Sequence, residues 1–542
     1  MRGERLFRYV MSGISLSPDT DDNEAIKQAS DRMKRAGGSP GSLHFRLYKR
    51  SVDARKKDRI RLVWSVMVES PQPLPQRICL KAELKPLDEA EPTGALGEEA
   101  LTAPPLVVGM GPAGLFAALL LAKNGYRPIL IDRGACIEER VRDVERFRSE
   151  GILNTESNIQ FGAGGAGTFS DGKLVTRIHD PLCRFVLNTL HRFGAPDEIL
   201  TLAKPHIGTD VLRGVVNRIL GEIERLGGQV IYRCCLQDWI ELPDGSVKAI
   251  TNRGELACGA VIMAIGHSSR DTYRTMIEKN YAIEPKPISV GVRAEHLQSE
   301  IDRALYGAYA GHPKLGHGEY ALSDTKSERG VYTFCMCPGG EVVAAASEDG
   351  GLVVNGMSNH ARDGKNANAA VLVSIGCEDY VPINGSRALG AIEFQRSVER
   401  AAFAAGGGDY CAPVMTLGDL LAETRGTEPC RVQPSYRDGR VKTADLREVF
   451  PSFVTSSLRY AFRSFGRKLQ GYDAPDTVLT AAETRTSAPL RILRHPELCT
   501  ALGHACIYPC GEGAGYAGGI TSAAVDGVKC AQALMSRFAP LT

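Results

Sequence analysis

The chain has 542 residues, of which 43% are hydrophobic and 24% charged, and its formal net charge is +2. That length implies two to four domains with ample core, and the near-neutral balance fits a soluble globular protein and argues against a general polyanion binder. The start, MRGERLFRYVMSGISLS, has no secretory apolar core, and the longest strongly apolar run, near 115–122, is too short to span a membrane, so a cytoplasmic location is expected.

Residues 1–100 read as a small α+β domain and a linker. Residues 6–14 have strand character. Asp22 is placed to cap a helix in which Ile26, Ala29 and Met33 share one face, and Gly37-Gly38 ends it. Residues 44–50 and 60–68 alternate as two further strands. Between them, KRSVDARKKDRIR (49–61) carries seven basic residues and two acidic ones. It has no interleaved aromatics for base stacking, so a solvated hairpin is preferred to an RNA contact. Residues 71–105 have linker character, with 80–87 as a candidate strand.

Residues 101–272 carry the strongest signal. The apolar run 106–108 leads into Gly109, Gly111 and Gly114 in G-x-G-x-x-G spacing; Pro112 and Ala113 open an apolar helix over 115–122, and Asn124-Gly125 stops it. A second buried strand over 128–131 is closed by Asp132, 18 residues after Gly114. Gly109 permits the tight turn, Gly111 lets backbone approach a pyrophosphate, and Gly114 lets helix pack on strand. The helix N-terminus faces the phosphates, and the acid binds ribose hydroxyls. The same spacing recurs at Gly162, Gly164, Gly167 and at Gly513, Gly515, Gly518, but only the match at 109 has strand, turn, helix, strand and terminal acid together. Arg133 beside the acid is a further cofactor-side candidate. Arg140, in the charged helix 137–149, is either a phosphate or ribose contact or half of a surface charge pair.

The stretch NIQFGAGGAGTFSDGKLVTR (158–177) has four glycines in six positions, which are costly to order. Backbone lying against a flat ligand would justify them, with Gly164 and Gly165 as contacts; a mobile loop is the alternative. An amphipathic helix over 209–227, a strand over 229–233 and a turn at Asp244-Gly245 follow. The apolar strand 260–265 ends at Gly266-His267, where Gly266 suits a close approach to adenine or pyrophosphate and His267 is either a ligand contact or a loop histidine.

Residues 273–490 lose the strand–helix alternation and read as an inserted, mainly antiparallel domain. Strands are expected at 288–293, 331–336, 341–346 and 352–355, and helices at 363–374, starting from Asp363, and at 389–405. Cys335-Met336-Cys337-Pro338-Gly339-Gly340 is read as two small core residues near a strand end in preference to a redox-active pair, since a disulfide across one residue is strained. In AETRTSAP (482–489), Glu483 and Arg485 would bind an anionic or carbonyl substrate or pair with charges in the fold. Residues 491–542 return to the earlier character, with a strand over 507–510, the loop GEGAGYAGGI (511–520) and a helix from Ile520. The fifteen cysteines include no C-x-x-C, which fits a reducing compartment and gives no reason to expect a metal.

The turn at 109, the loop at 162–167, AIG at 264–266 and GEGAGYAGGI together resemble the FAD-binding two-dinucleotide-domain flavoproteins. With SVDARKK (51–57), KPHIGTD (204–210) and ETRTSAP (483–489), the chain is similar to a bacterial family of FAD-dependent dehydrogenase-like proteins. The resemblance implies an α/β fold with a Rossmann-type, glutathione-reductase-like FAD domain. Its two pieces flank the inserted mainly antiparallel β substrate domain, behind the small N-terminal α+β domain. It also implies that the loop carrying Gly511, Glu512 and Gly519 sets an acid, Glu512, on the ribityl chain. The helix from Ile520 would then aim its N-terminus at the pyrimidine end of the ring, where its dipole stabilises reduced flavin. Asp132 stands where Glu is common and Glu512 where Asp is usual; both changes keep a carboxylate.

The expected function is an FAD-dependent oxidoreductase moving a hydride between flavin and an unidentified small substrate. No second complete βαβ fingerprint is visible, so NAD(P)H would bind only transiently. No catalytic acid or base stands out among His206, His267, Glu483 and Arg485. Two alternatives stay open: a flavin-containing RNA-binding or nucleic-acid-modifying protein that uses the basic N-terminal unit, and a flavin-holding protein without turnover.

Overall fold

The structure is a computed structural model that describes residues 6–87, 90–92 and 96–541. Parts of the sequence start (1–5) and of the linker (88–89 and 93–95) lie outside the described residues.

The N-terminal unit is a four-stranded antiparallel sheet in the order His44–Asp53, Arg61–Ser70, Phe7–Leu16, Leu84–Pro86. The helix Asn23–Arg35 packs Ala25, Ala29 and Met33 onto it, one face at i, i+4, i+8. Ile26, expected on that face, is only half-buried, and Asp22 makes no side-chain capping bond. Residues 80–87 are not one strand: the helix Gln76–Ala82 ends at Glu83 in the left-handed region before the short edge strand begins. The unit is docked on the body of the chain. Arg50 N–H donates to the Thr201 carbonyl at 2.7 Å, Ala203 N–H donates to the Arg50 carbonyl at 2.8 Å, and Tyr306 and Leu315 complete its core.

The central layer is a five-stranded parallel sheet in the order Ile507–Pro509, Val261–Met263, Leu106–Val108, Ile129–Ile131, Gln229–Ile231. Numbered along the chain, that order is 5-4-1-2-3, a doubly wound arrangement. It reverses between Leu106–Val108 and Val261–Met263, and in such sheets the crevice at the carboxyl ends beside the reversal is the ligand site. Four of these strands are fully buried triplets, as strands covered on both faces must be. The helix Pro112–Lys123 is buried from Ala113 to Ala122, with Leu115, Phe116, Leu119, Leu120 and Leu121 each contributing roughly 1.5–3 kcal/mol of apolar burial. The C-terminal helix Ile520–Arg537 lies against it so closely that a Cβ on Gly527 would sit 2.1 Å from the Ala113 carbonyl. Two helices, Thr209–Arg225 and the unanticipated Leu182–Arg192, complete this layer's core.

The third layer is a seven-stranded, mostly antiparallel sheet built wholly from residues 288–483. Its interior strand Asn366–Ile375, third in the sheet order, occupies the stretch expected to be a helix from Asp363. Nine of its ten residues are buried, and it is paired over its full length with Ile288–Leu297. The helices Arg387–Ala405 and Ser452–Lys468 pack on this sheet; only the first was expected. Among the described residues no helix is long and apolar enough to cross a membrane.

Candidate functional site

A cleft opens at the reversal point of the parallel sheet and runs on to the antiparallel one. Its first wall is the turn after Leu106–Val108. Gly109 has φ 102°, and a Cβ there would strike the Ala264 carbonyl at 2.3 Å, so only glycine fits. Gly114 is buried beneath it, where a Cβ would lie 1.8 Å from the Gly109 carbonyl. Gly111 faces open space: a Cβ there would find the Gly165 Cα, at 3.8 Å, as its nearest neighbour. Asp132 is buried at the end of its strand; its carboxylate accepts from Met110 N–H at 2.8 Å and Gly134 N–H at 2.9 Å. These bonds fix the acid at the cleft floor and leave lone pairs for a ligand hydroxyl.

The structure brings ten of the fifteen expected cofactor residues to this cleft: Gly109, Gly111, Pro112, Ala113, Asp132, Gly165, Gly266, Glu512, Gly519 and Ile520. The other five stand behind its walls. Gly114 spaces helix from strand. Gly164 backs onto Thr168, and Gly511 is wedged against Ala113 while its N–H donates to Asp526 at 2.7 Å. Arg133 pairs with Asp271 at 2.6 Å and lies over the ring of Phe161, which itself lines the cleft. Arg140 corrects both readings offered for it: it is neither a phosphate contact nor a surface pair. Its guanidinium is fully buried under the glycine-rich loop and donates to the carbonyls of Asn158, Ile159, Gly162 and Ala163 at 2.6–3.3 Å. Burial pulls its pKa down to about 9. The costly glycine run is thus a shelf bonded to Arg140 from beneath.

The cleft's far end is formed by residues distant in sequence: Asp171, Lys173, Phe334, Cys335, Asn355 and the segment after Glu483. Glu483 and Arg485 line it and are also paired. Arg293 clamps Glu483 with bonds of 2.5 and 3.1 Å, and Arg485 donates to Glu399 at 3.0 and 3.1 Å. Glu399 also takes Arg270 at 2.7 and 2.9 Å, while Glu348 takes Arg270 and Arg396. Three guanidiniums therefore share two carboxylates, leaving this side of the cleft one positive charge in excess. Lys173 adds an ammonium, bonded to Asp171, which Arg362 also holds at 2.5 and 3.0 Å.

Among the titratable groups in the cleft, Glu512 and His267 are displaced from their ordinary ranges. Burial pushes the Glu512 carboxyl up to about 7, against the opposing pull of Lys286 and the Gly519 N–H. Burial, together with Arg485 and Arg270, pushes His267 down to about 4 and keeps it neutral. His206 lies elsewhere: its Nε2 meets the His360 carbonyl at 3.1 Å and its ring stacks on His360. Cys510, Asp526 and Cys530 are buried within 4.8 Å of one another, but Arg494 holds both Asp526 oxygens at 2.6 and 3.0 Å.

The donor set suits FAD. The glycine turn leaves room for a pyrophosphate beside the N-terminus of Pro112–Lys123, and Asp132 stands where a ribose would lie. A second helix, Ile520–Arg537, presents its N-terminus to the same cleft after Gly518 and Gly519, where a Cβ would meet nothing within 4 Å. Gln160 lines the cleft with a buried Oε1 that has no partner among the described residues, an acceptor suited to a ligand N–H or O–H.

Residues 287–486, which contain the whole antiparallel sheet, match the family described as "FAD-dependent protein, C-terminal domain-like". A Clostridium beijerinckii protein described only as "Uncharacterized protein" is 45% identical over 534 residues, covering 97% of this chain and 98% of its own. Among solved structures, CtdE in complex with FAD aligns over 79% of this chain and 82% of its own at 11% identity and TM-score 0.32. Lactococcus lactis thioredoxin reductase aligns over 30% of this chain and 36% of its own at 14% identity and TM-score 0.18. The cofactor is FAD, and the chain belongs, with its clostridial relative, to a family of FAD-dependent proteins.

Proposed function

We infer that the protein is an oxidoreductase in which the flavin exchanges a hydride with a small substrate at the far end of the cleft. The observation that carries this reading is the continuity of one cleft from the glycine turn to the charged end at Arg485 and Lys173. We read the parallel sheet as a glutathione-reductase-like FAD domain and the antiparallel sheet as the substrate-side domain inserted in it. When bound, FAD supplies the two-electron chemistry.

The chain's own residues do the rest. Gly109, Gly111 and Asp132 hold the adenosine diphosphate half. The N-terminus of Ile520–Arg537 and the excess positive charge around Arg485 favour negative charge on ring and substrate. Neutral His267 can accept or donate a hydrogen bond without adding charge, and Glu512, half-protonated near neutral pH, can hold a proton beside the cleft. An anionic substrate suits the far end best. NAD(P)H is the transient partner we expect as donor or acceptor, and fifteen free cysteines support a reducing, cytoplasmic setting.

The RNA-based alternative is not favoured. The 49–61 segment is anchored to the body at Arg50, and Arg55 is committed to Asp53 at 2.6–2.8 Å. The test is anaerobic: purified yellow protein is mixed with NADH, NADPH and a panel of small anionic donors while the flavin spectrum is followed. Bleaching by at least one donor supports the reading; colourless protein that cannot be reconstituted with FAD refutes it.

A further inference from the structure

The strand Val331–Cys337 runs beside Asn366–Ile375, and its register breaks between Phe334 and Cys337. Cys335 takes φ 44° at that break. Irregularities of this kind re-aim side chains and recur beside active sites. This one sets Cys335 in the cleft wall, with Asn355 and Glu483, and leaves Cys337 buried behind it. The Cys337 S–H donates to the Cys335 carbonyl, with Sγ and O 3.3 Å apart. Around them are Arg293, fully buried with Nη1 2.9 Å from the Cys335 carbonyl and 3.9 Å from Cys337 Sγ, and Lys173, Asp171 and Glu483. The neighbouring Cys337 thiol and the two cations pull the Cys335 thiol below the usual thiol range, while Cys337 is held well above it. Cations beside a thiol in the cleft wall favour its thiolate, and a second thiol stands buried behind it, the division of labour that dithiol exchange requires.

We propose that Cys335 and Cys337 are a redox-active dithiol that exchanges electrons with the flavin, and that the substrate class of this site is a disulfide or its thiol. The proposal rests on the flavin reading above. In the oxidising half, the Cys335 thiolate and the Cys337 thiol form an S–S bond; two electrons and the Cys337 proton pass to FAD, which becomes the reduced anion. In the reverse half, reduced flavin returns the two electrons and the proton, restoring thiolate and thiol. Cys335 then attacks one sulfur of a substrate disulfide, whose S–S bond breaks and releases a thiolate. Cys337 next closes on Cys335, and its proton leaves with the second substrate thiol. A bond spanning one residue is strained, which suits a transient link rather than a permanent staple.

The test reads thiols and electron count, not turnover. FAD-loaded protein is treated with diamide, denatured, alkylated with iodoacetamide and digested with trypsin. Residues 330–362 form one tryptic peptide that contains no cysteine besides Cys335 and Cys337. The expected result is this peptide unalkylated and lighter by two hydrogens, reverting to double alkylation when the flavin is reduced first. In anaerobic dithionite titration, diamide-treated wild type should take up two more electrons per flavin than Cys335→Ser or Cys337→Ser. Double alkylation of the diamide-treated peptide, or equal electron uptake by wild type and both variants, overturns the dithiol. If a variant loses its flavin, the wild-type peptide mass alone decides. Normal flavin reduction with inert thiols sinks only this proposal; protein that never holds flavin sinks it together with the function it rests on.

Discussion

Gly111→Ala separates cofactor binding from folding. Gly111 has φ −72° and ψ 178°, which alanine adopts freely, and its Cβ would find only the Gly165 Cα at 3.8 Å. At a compatible position, Gly→Ala stabilises by about 0.4–1 kcal/mol through the unfolded chain's lost entropy, so the apoprotein should melt at or above the wild-type temperature. The same methyl enters the space where the pyrophosphate must meet the helix N-terminus. Pushing the phosphates back costs at least one charge-assisted hydrogen bond, about 1.5–3 kcal/mol, or a loss of about 10- to 100-fold in FAD affinity. Fluorescence titration of apoprotein with FAD, alongside thermal melts, measures both. Unchanged FAD affinity in a well-folded Gly111→Ala protein would refute the placement of the pyrophosphate. Gly114→Ala is the contrast: its Cβ would stand 1.8 Å from the Gly109 carbonyl, so the fold itself should weaken.

Other parts of the site make separate demands. The Glu512 carboxyl sits near 7 when folded and 4.5 as its ordinary value, so the folded state binds the proton more tightly; its stabilising effect is complete below 4.5 and is lost as pH rises through about 7. Glu512→Gln should flatten that decline, and urea midpoints of wild type and variant apoprotein on either side of this window will show whether it does. Glu399→Ala takes from Arg485 its carboxylate partner and leaves Arg270 with Glu348 as its one carboxylate, and should cost about 3–5 kcal/mol in denaturant unfolding; a loss below ~1 kcal/mol would contradict the hub. Arg140→Ala frees four loop carbonyls, so hydrogen exchange across 158–167 should accelerate and FAD affinity fall, although Arg140 does not line the cleft. Unaltered exchange there would show that the shelf holds itself.

What the sequence makes legible is local. Gly109, Gly111, Gly114 and Asp132 lie within one strand–helix–strand unit, and each spacing reports a contact inside that unit. Asn366–Ile375 reads as helix because an alanine-rich apolar run buried on both faces has no period to distinguish strand from helix. Its identity comes from flanking strands that begin 78 residues before it and 35 residues before it. Arg140 reads as a surface residue because its helix is charged; the loop that covers it starts some twenty residues later. The far end of the cleft gathers Lys173, Cys335, Asn355 and Arg485 across more than three hundred positions, and no spacing rule spans that distance. For Cys335 the usable signal is the C-x-C-P-G-G pattern, a residue of which the fold sets into the cleft wall.

The most direct test is a crystal structure of the protein loaded with FAD. The account predicts adenosine diphosphate density between Gly109–Gly111 and Asp132, with the isoalloxazine ring between the N-terminus of Ile520–Arg537 and the wall carrying Cys335. Density for the ring outside that cleft, or with the adenine where the ring is expected, would contradict it.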